Sequence, residues 1–290
     1  MLKKIVAVLL SSFTAAALAV PLGSQSVLVV EDDTGKVLLE KNANVQVPIA
    51  SLTKLMTAMV VLDAKQDMDE PISIDRADID MLKHSTSRVP VGAEISRGDV
   101  LQLALMSSDN RAAASLARTF PGGQDGFKAA VNAKIRKLGL TQTVIEEPTG
   151  LSPHNRSTAT DLVKMASAAS TYAEIRRITT DTKDVITIKG RKVEYHNTNR
   201  LVGAKGWDVG LSKTGYTEEA GRCLIMRFKS AGKNATLVLL NAKANSARLM
   251  DAFNIRRFVE GPIEKPKVMK ASARSKKKAI KQSKRTRRAM

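Results

Sequence analysis

Acyl-transfer chemistry is within reach of one short stretch of this chain. Ser51 and Lys54 stand three residues apart at the head of the apolar run Leu55-Met-Thr-Ala-Met-Val-Val-Leu62. Leu52, Leu55, Met56, Met59 and Leu62 recur there at helical spacing, which predicts a core helix. Residues three apart share one face, and Pro48 just upstream puts Ser51 at or near the first turn. Unpaired backbone N–H groups and the positive dipole end favour negative charge at that position. A serine hydroxyl is a weak nucleophile until a neighbour takes its proton. A lysine does this when burial disfavours its ammonium and lowers its pKa. The spacing alone is not diagnostic, because it recurs at Ser230–Lys233 and Ser275–Lys278 without other catalytic signs.

Two further segments change its meaning. Ser108-Asp109-Asn110 lies between two apolar helical runs, where polar side chains can project into a cleft. Lys213-Thr214-Gly215 ends a predicted strand and occurs once in the chain. Glycine there is expected to let a substrate backbone approach without meeting a side chain. S-x-x-K, S-D-N and K-T-G, in this order, form the motif set of class A β-lactamases and penicillin-binding proteins. Each falls in the context its role needs: a helix start, an inter-helix loop and a strand.

On these motifs the chain resembles the low-molecular-weight penicillin-binding proteins, which are D-alanyl-D-alanine peptidases. Ser51-Leu-Thr-Lys-Leu-Met-Thr-Ala-Met-Val-Val-Leu-Asp63, Leu211-Ser-Lys-Thr-Gly-Tyr-Thr217 and Ala220-Gly-Arg-Cys-Leu224 are similar to the endopeptidase branch. The likeness runs from about Gln25 to Glu260. It implies an α+β, β-lactamase/transpeptidase-like fold, peptidoglycan stem peptides as substrate, inhibition by β-lactams, and no metal or cofactor. It further implies that Ser51 attacks the D-alanyl carbonyl and that Lys54 accepts its proton, with a pKa lowered by burial and by the Lys213 charge. The N–H groups of Ser51 and Tyr216 would meet the oxyanion. Ser108 would pass a proton to the leaving amine, Asn110 would hold the substrate amide, and Lys213 with Thr214 would bind the carboxylate or backbone beyond the scissile bond. Whether the bond cut is a terminal D-Ala-D-Ala or a D-Ala–diaminopimelate cross-link stays open.

The positioning elements follow from pattern. Ser26–Val30 and Lys36–Glu40, joined by a turn containing Gly35, predict a hairpin. Broken helical runs occupy Ile79 to about Ala168, with a helix over Phe127–Leu138 ended by Gly139 and another capped at Thr160-Asp161. Strand patterns return at Val185–Ile188, Leu211–Thr214, Cys223–Phe228 and Ala235–Leu240. A last helix, Ser246 to about Glu260, offers Leu249, Met250, Phe253, Ile255 and Phe258 for burial. The order predicts an antiparallel sheet (about 25–75 and 175–260) flanked by helices, with a helical subdomain (about 76–174) inserted between its edges.

Composition bounds the rest. Lys3-Lys4, the apolar Ile5–Ala17 and the small-x-small Ala17-Leu18-Ala19 predict an export signal over residues 1–19, with an uncleaved anchor as the alternative. The working domain, residues 20–262, is therefore expected in the periplasm or cell envelope. The net charge is +19, and twelve basic residues with no acidic ones lie between Lys265 and the C-terminus; removing them leaves +7. That composition predicts a disordered basic tail over residues 263–290, able to contact anionic envelope surfaces. No nucleic-acid partner is expected, since the tail lacks stacking aromatics and the chain carries an export signal. Cys223, the one cysteine, excludes an intrachain disulfide and reads as a buried small hydrophobe. His84, His154 and His196 lack metal-ligand spacing and read as surface or outer residues, although His154 and Arg156 are candidates for the cleft floor and Tyr195–Asn199 for its rim. Two rival readings stand beside the peptidase: a class A-like β-lactamase with Glu146 or Glu147 as deacylating base, and an exported polyanion-binding protein without catalysis.

Overall fold

The computed structural model describes residues 20–261. The expected export signal over residues 1–19 and the expected basic tail over residues 263–290 lie outside the described residues. Strand β1 (Ser24–Glu31) and β2 (Val37–Lys41) form the expected hairpin. A short strand, β3 (Val47–Pro48), leads into a 3-10 turn at Ala50–Thr53 and then helix α1 (Lys54–Asp63). The paired strands β4 (Pro71–Ser73) and β5 (Glu94–Ser96) precede α2 (Arg97–Met106), α3 (Asn110–Arg118) and α4 (Gly123–Lys137). Strand β6 (Arg156–Ser157) pairs with β3. Then come α5 (Ala159–Ala169), α6 (Ala173–Thr180) and a hairpin of β7 (Lys183–Ile188) with β8 (Arg191–His196). Strands β9 (Asp208–Thr217), β10 (Gly221–Ser230) and β11 (Lys233–Ala242) and helix α7 (Asn245–Glu260) close the fold.

The main sheet is antiparallel in the order β2-β1-β11-β10-β9. Its edge strands are β2, which precedes the helical block, and β9, which follows it, so the block is inserted between edges, as the sequence predicts; Val185–Ile188, expected in this sheet, instead pairs with β8 in a separate hairpin. Successive strand residues face opposite sides. Val27, Val29, Leu224, Met226, Leu237 and Leu239 pack against Ala252, Ile255 and Val259 of α7. Leu28, Cys223, Ile225, Val238 and Leu240 join the helical block in one core. Cover on both faces explains the unbroken apolar run of β11. Each such side chain taken out of water stabilises by about 1.5–3 kcal/mol.

Three local expectations are corrected. Helix α7 buries Ala252, Ile255 and Val259, while Leu249, Met250 and Phe258 stay substantially exposed. The stripe that meets the sheet is Ala252, Ile255 and Val259, and buried Asp251 ties the start of β1 by accepting from Gly23 N, Ser24 N and Ser24 Oγ. The N-cap of α5 is Thr158, whose side chain accepts from Asp161 N. Asp161 is instead buried, taking Gln142 N and the Thr143 hydroxyl. Helix α4 begins at Gly123 rather than Phe127, on the left-handed Gly122 (φ 78°).

Candidate active site

The three motifs meet at the junction of the 3-10 turn, the α2–α3 link and the edge strand β9. Lys54 is buried in the first turn of α1, and its Nζ donates to Ser51 Oγ at 2.9 Å, Asn110 Oδ1 at 2.7 Å and the Thr149 carbonyl at 2.7 Å. These three acceptors saturate an ammonium. A neutral amine keeps two hydrogens for the fixed Asn110 and Thr149 oxygens and turns its lone pair to the Ser51 hydroxyl. Burial pushes the Lys54 pKa down to about 8, against the opposing pull of Glu147, Asp109 and Asp80. Neutral amine is therefore available near neutral pH, as a general base requires.

In β9, Leu211, Lys213 and Gly215 turn toward the helical block, while Ser212 faces Asn199 across the sheet's other side. Lys213 Nζ donates to Ser108 Oγ at 2.8 Å and to the Thr214 carbonyl at 3.0 Å. Burial first, then the charges of Lys54 and Arg248, hold its pKa well below the ordinary lysine range. The two buried ammonium groups repel one another, so burial and mutual repulsion both favour a neutral amine in the pair. Carboxylates bear on Lys54 and support its charge, and none is hydrogen-bonded to Lys213. Nor does Lys213 bond Ser51 directly; it reaches the centre through Ser108.

Gly215 also has a different neighbour from the one expected. A Cβ there would lie 3.1 Å from the Ala50 Cβ, the Ile49 carbonyl and Ser51 N, so the missing side chain admits the nucleophile's own backbone. Ala50 (φ 47°) and Ser108 (φ 61°) both hold left-handed conformations unusual for their residue types. Such conformations persist only where surrounding structure imposes them, and they cluster at functional sites.

Beneath Ser51 a loop of residues 146–155 is wound around Glu147. Its carboxylate accepts from Thr149 N at 2.8 Å, Thr149 Oγ1 at 2.5 Å, Gly150 N at 2.6 Å and Asn155 Nδ2 at 3.0 Å. Fully buried Asn155 adds a bond to Thr53 Oγ1, and its carbonyl accepts from Ile49 N. This holds the Thr149 carbonyl against Lys54. The sequence offers Glu146 or Glu147 only as a rival's deacylating base; Glu147 and Asn155 as loop organisers depend on contacts that spacing does not reveal.

The cleft over Ser51 has a volume of about 680 Å³ and includes Ser108, Asn110, Thr198, Thr214, Gly215 and Tyr216 in its lining. Thr214 Oγ1 pairs with Thr198 Oγ1 at 2.7 Å. Tyr216 is half exposed, with the Arg222 guanidinium 3.5 Å from its ring centre. Arg200, Arg222 and Arg248 line the same cleft, and sequence reading passed over all three. Arg248 comes from the first turn of α7, 35 residues beyond Lys213, with no motif to announce it.

Other candidates fall elsewhere. His154 is exposed, and Arg156 donates to the Gln46 carbonyl at 3.0 Å in the β3–β6 pair, so neither lines the cleft. His84 and His196 are exposed. Of the Tyr195–Asn199 segment, Thr198 and Asn199 reach the cleft while Tyr195 is buried beneath Arg88. Cys223 is buried, and burial pushes its thiol up to about 11. Among the described residues no group of three or more His, Cys, Asp or Glu is placed to hold a metal ion.

Comparison with known proteins agrees with this geometry. The sequence matches the D-alanyl-D-alanine carboxypeptidase family over residues 12–244. It is 45% identical over 241 residues to a D-alanyl-D-alanine endopeptidase of Pseudomonas aeruginosa, covering 82% of this chain and 78% of that protein. An Escherichia coli D-alanyl-D-alanine endopeptidase is 43% identical over the same shares. The structure superposes on the Streptomyces K15 DD-transpeptidase with a TM-score of 0.76 at 25% identity, covering 82% of this chain and 97% of the other. A D-alanyl-D-alanine carboxypeptidase of Mycobacterium tuberculosis gives 0.76 at 25% identity, with 87% and 96% covered. The fold is thus β-lactamase/transpeptidase-like, and the chain belongs to the D-alanyl-D-alanine carboxypeptidase family of serine peptidases.

Proposed function

We propose that this chain is a DD-endopeptidase that opens D-Ala–diaminopimelate cross-links of peptidoglycan through an acyl-enzyme on Ser51. The observation that carries the reading is the buried Lys54 amine 2.9 Å from Ser51 Oγ. Preference for cross-links over terminal D-Ala rests on the relatives: three named endopeptidase are 45%, 43% and 34% identical, whereas a Bacillus subtilis carboxypeptidase is 31% identical.

In this reading Ser51 Oγ bonds to the D-alanyl carbonyl carbon as its proton passes to Lys54. The resulting oxyanion meets the N–H groups of Ser51 and Tyr216, each such donor being worth about 3 kcal/mol. Collapse breaks the C–N bond, and the leaving amine takes a proton delivered through Ser108. Water then attacks the ester with Lys54 again as base. Asn110 holds the substrate amide, and Lys213, Thr214 and Gly215 form the wall beyond the scissile bond. Arg222 and Arg248 supply positive charge for a carboxylate there. β-Lactams acylate the same hydroxyl. Glu147 is committed to five donors of its own loop, which argues against a lactamase base at that position.

Export to the periplasm or envelope follows from the Lys3–Ala19 pattern, and the basic tail after Pro266 would hold the enzyme near anionic envelope surfaces. No described helix is long and apolar enough to cross a membrane. Digestion of purified muropeptide dimers and monomeric pentapeptides, with Ser51→Ala as control, tests the proposal. Monomers released from dimers support it; free D-Ala alone points to a carboxypeptidase, and activity in the Ser51→Ala protein refutes the mechanism.

A further inference from the structure

Asn110 presents its carbonyl, not its amide nitrogen, to Lys54, and nothing within the three motifs holds the other end of the amide. That end is held by the exposed segment 80–88. Asp80 accepts from the backbone of Leu82 at 2.8 Å, Lys83 at 3.0 Å and Ser85 at 2.8 Å, coiling the segment around one carboxylate. Its first four residues after Asp80 are exposed, whereas Ser85 and Ser87 turn inward. Ser85 Oγ accepts from Asn110 Nδ2 at 2.8 Å, and Ser87 Oγ donates to Asp109 Oδ2 at 2.7 Å. Asp109 itself caps α3 by accepting from Ala112 N. Two serines of one loop therefore hold both polar residues of the Asp109-Asn110 pair.

A hydroxyl has one hydrogen to give, and an ionised carboxylate can only accept. Burial would raise Asp80, but the Ser85 hydroxyl and the N–H groups of Lys83, Ser85 and Leu82 outweigh it and hold the carboxyl below its ordinary value. Ser85 Oγ takes the Asn110 amide hydrogen at 2.8 Å, while the Ser85 backbone N–H is tied to the Asp80 carboxylate at 2.8 Å. The amide nitrogen thus faces Ser85, and Oδ1 faces Lys54. The reverse orientation would set an N–H₂ against the Lys54 ammonium, donor to donor.

We infer that Asp80 and Ser85 are positioning residues for acyl transfer: Asp80 fixes Ser85 through its backbone N–H, Ser85 Oγ holds the Asn110 amide nitrogen, and the chain Asp80–Ser85–Asn110–Lys54 keeps Lys54 aimed at Ser51. The inference rests on the Ser51–Lys54 reading above. The carboxylates bearing on Lys54 are Glu147, Asp109 and Asp80, so Asp80 acts on the base by its field as well as by orientation.

The two actions separate experimentally. The second-order rate of labelling by a fluorescent penicillin is measured between about pH 5 and 10 for wild type, Ser85→Ala, Ser85→Thr and Asp80→Asn, with thermal melts alongside. Ser85→Ala is expected to label about 10-fold more slowly, with the acid limb of the profile unmoved, because orientation is lost and the Asp80 charge stays. Ser85→Thr, which keeps the hydroxyl, recovers most of the rate. Asp80→Asn is expected to lose a similar factor and to shift the acid limb to lower pH, because a carboxylate that supports the Lys54 charge is gone. A folded Ser85→Ala protein labelling at the wild-type rate across the range overturns the inference. Should Ser85→Ala fail to fold, an unchanged rate and limb in Asp80→Asn overturns it equally. Wild-type protein that is not labelled at Ser51 removes the serine–lysine reading itself, and this inference with it.

Discussion

Gly150 lies so close to the nucleophile turn that a Cβ on it would stand 1.9 Å from the Ala50 carbonyl oxygen and 2.8 Å from Ser51 N. Its backbone is left-handed besides, at φ 86°. Both facts require glycine, for separate reasons. Gly150→Ala should therefore destabilise the protein by about 3 kcal/mol or more, seen as a lowered urea midpoint. Any folded fraction should label with penicillin at least about 100-fold more slowly, because Ser51 is displaced. Wild-type labelling in a fully folded Gly150→Ala protein would show that the close approach is irrelevant to Ser51.

The Lys54 amine sets the pH dependence of acylation. Its pKa is lowered to about 8, and only the neutral form accepts the Ser51 proton. The labelling rate should rise with pH through about 8 and flatten above it, with the ammonium form inactive on the acid side. Lys54→Arg keeps the charge but cannot lose its proton, so no such limb should remain. A flat wild-type profile from acid to alkaline pH would contradict lysine as the base.

Glu147 distinguishes the peptidase from the lactamase. Its carboxylate organises the Thr149–Gly150 turn through hydrogen bonds to Thr149 N, Thr149 Oγ1 and Gly150 N. Glu147→Gln replaces one acceptor oxygen by a donor facing backbone N–H groups, an expected loss of about 1–3 kcal/mol of stability. Deacylation of the penicilloyl-enzyme, followed by loss of label over time, should change by less than about 3-fold. A collapse of hydrolysis in a well-folded Glu147→Gln protein would restore the lactamase reading.

Arg248 is partly buried in the cleft; burial, then Arg222, lowers its pKa, and it donates to the Cys223 carbonyl at 3.1 Å. A guanidinium so placed has donors to spare for an anion. Arg248→Gln should reduce kcat/KM for peptides with a free carboxylate beyond the scissile bond by about 10- to 100-fold, roughly the worth of one charge-assisted hydrogen bond. Peptides amidated at that end should be nearly indifferent to the change. Equal losses on both substrates would assign Arg248 to the framework instead.

Much of the sheet is legible in the sequence, because a strand covered on both faces must be apolar on both, as Leu237–Leu240 is. Helix α6 and strand β8 are not. Ala173–Thr180 is eight residues long and mostly polar, and Arg191–His196 buries only Tyr195. Neither offers enough apolar periodicity to stand out from loop, and their order comes from packing. Helix α7 carries two apolar stripes, and choosing between them required knowing which one met the sheet.

The chain's own order of residues determined that a serine, two lysines and an Asn-bearing turn were available, since local spacing and strand or helix context dictate which side chains share a face. Only the tertiary structure decided how they are connected. Contacts between segments far apart in sequence set the burial that lowers Lys54, the partner that Lys213 meets, the backbone that Gly215 and Gly150 admit, and the loop carboxylate behind Asn110. Electrostatic environment and steric clearance depend on distance through space, and spacing along the chain fixes that distance only within a single element.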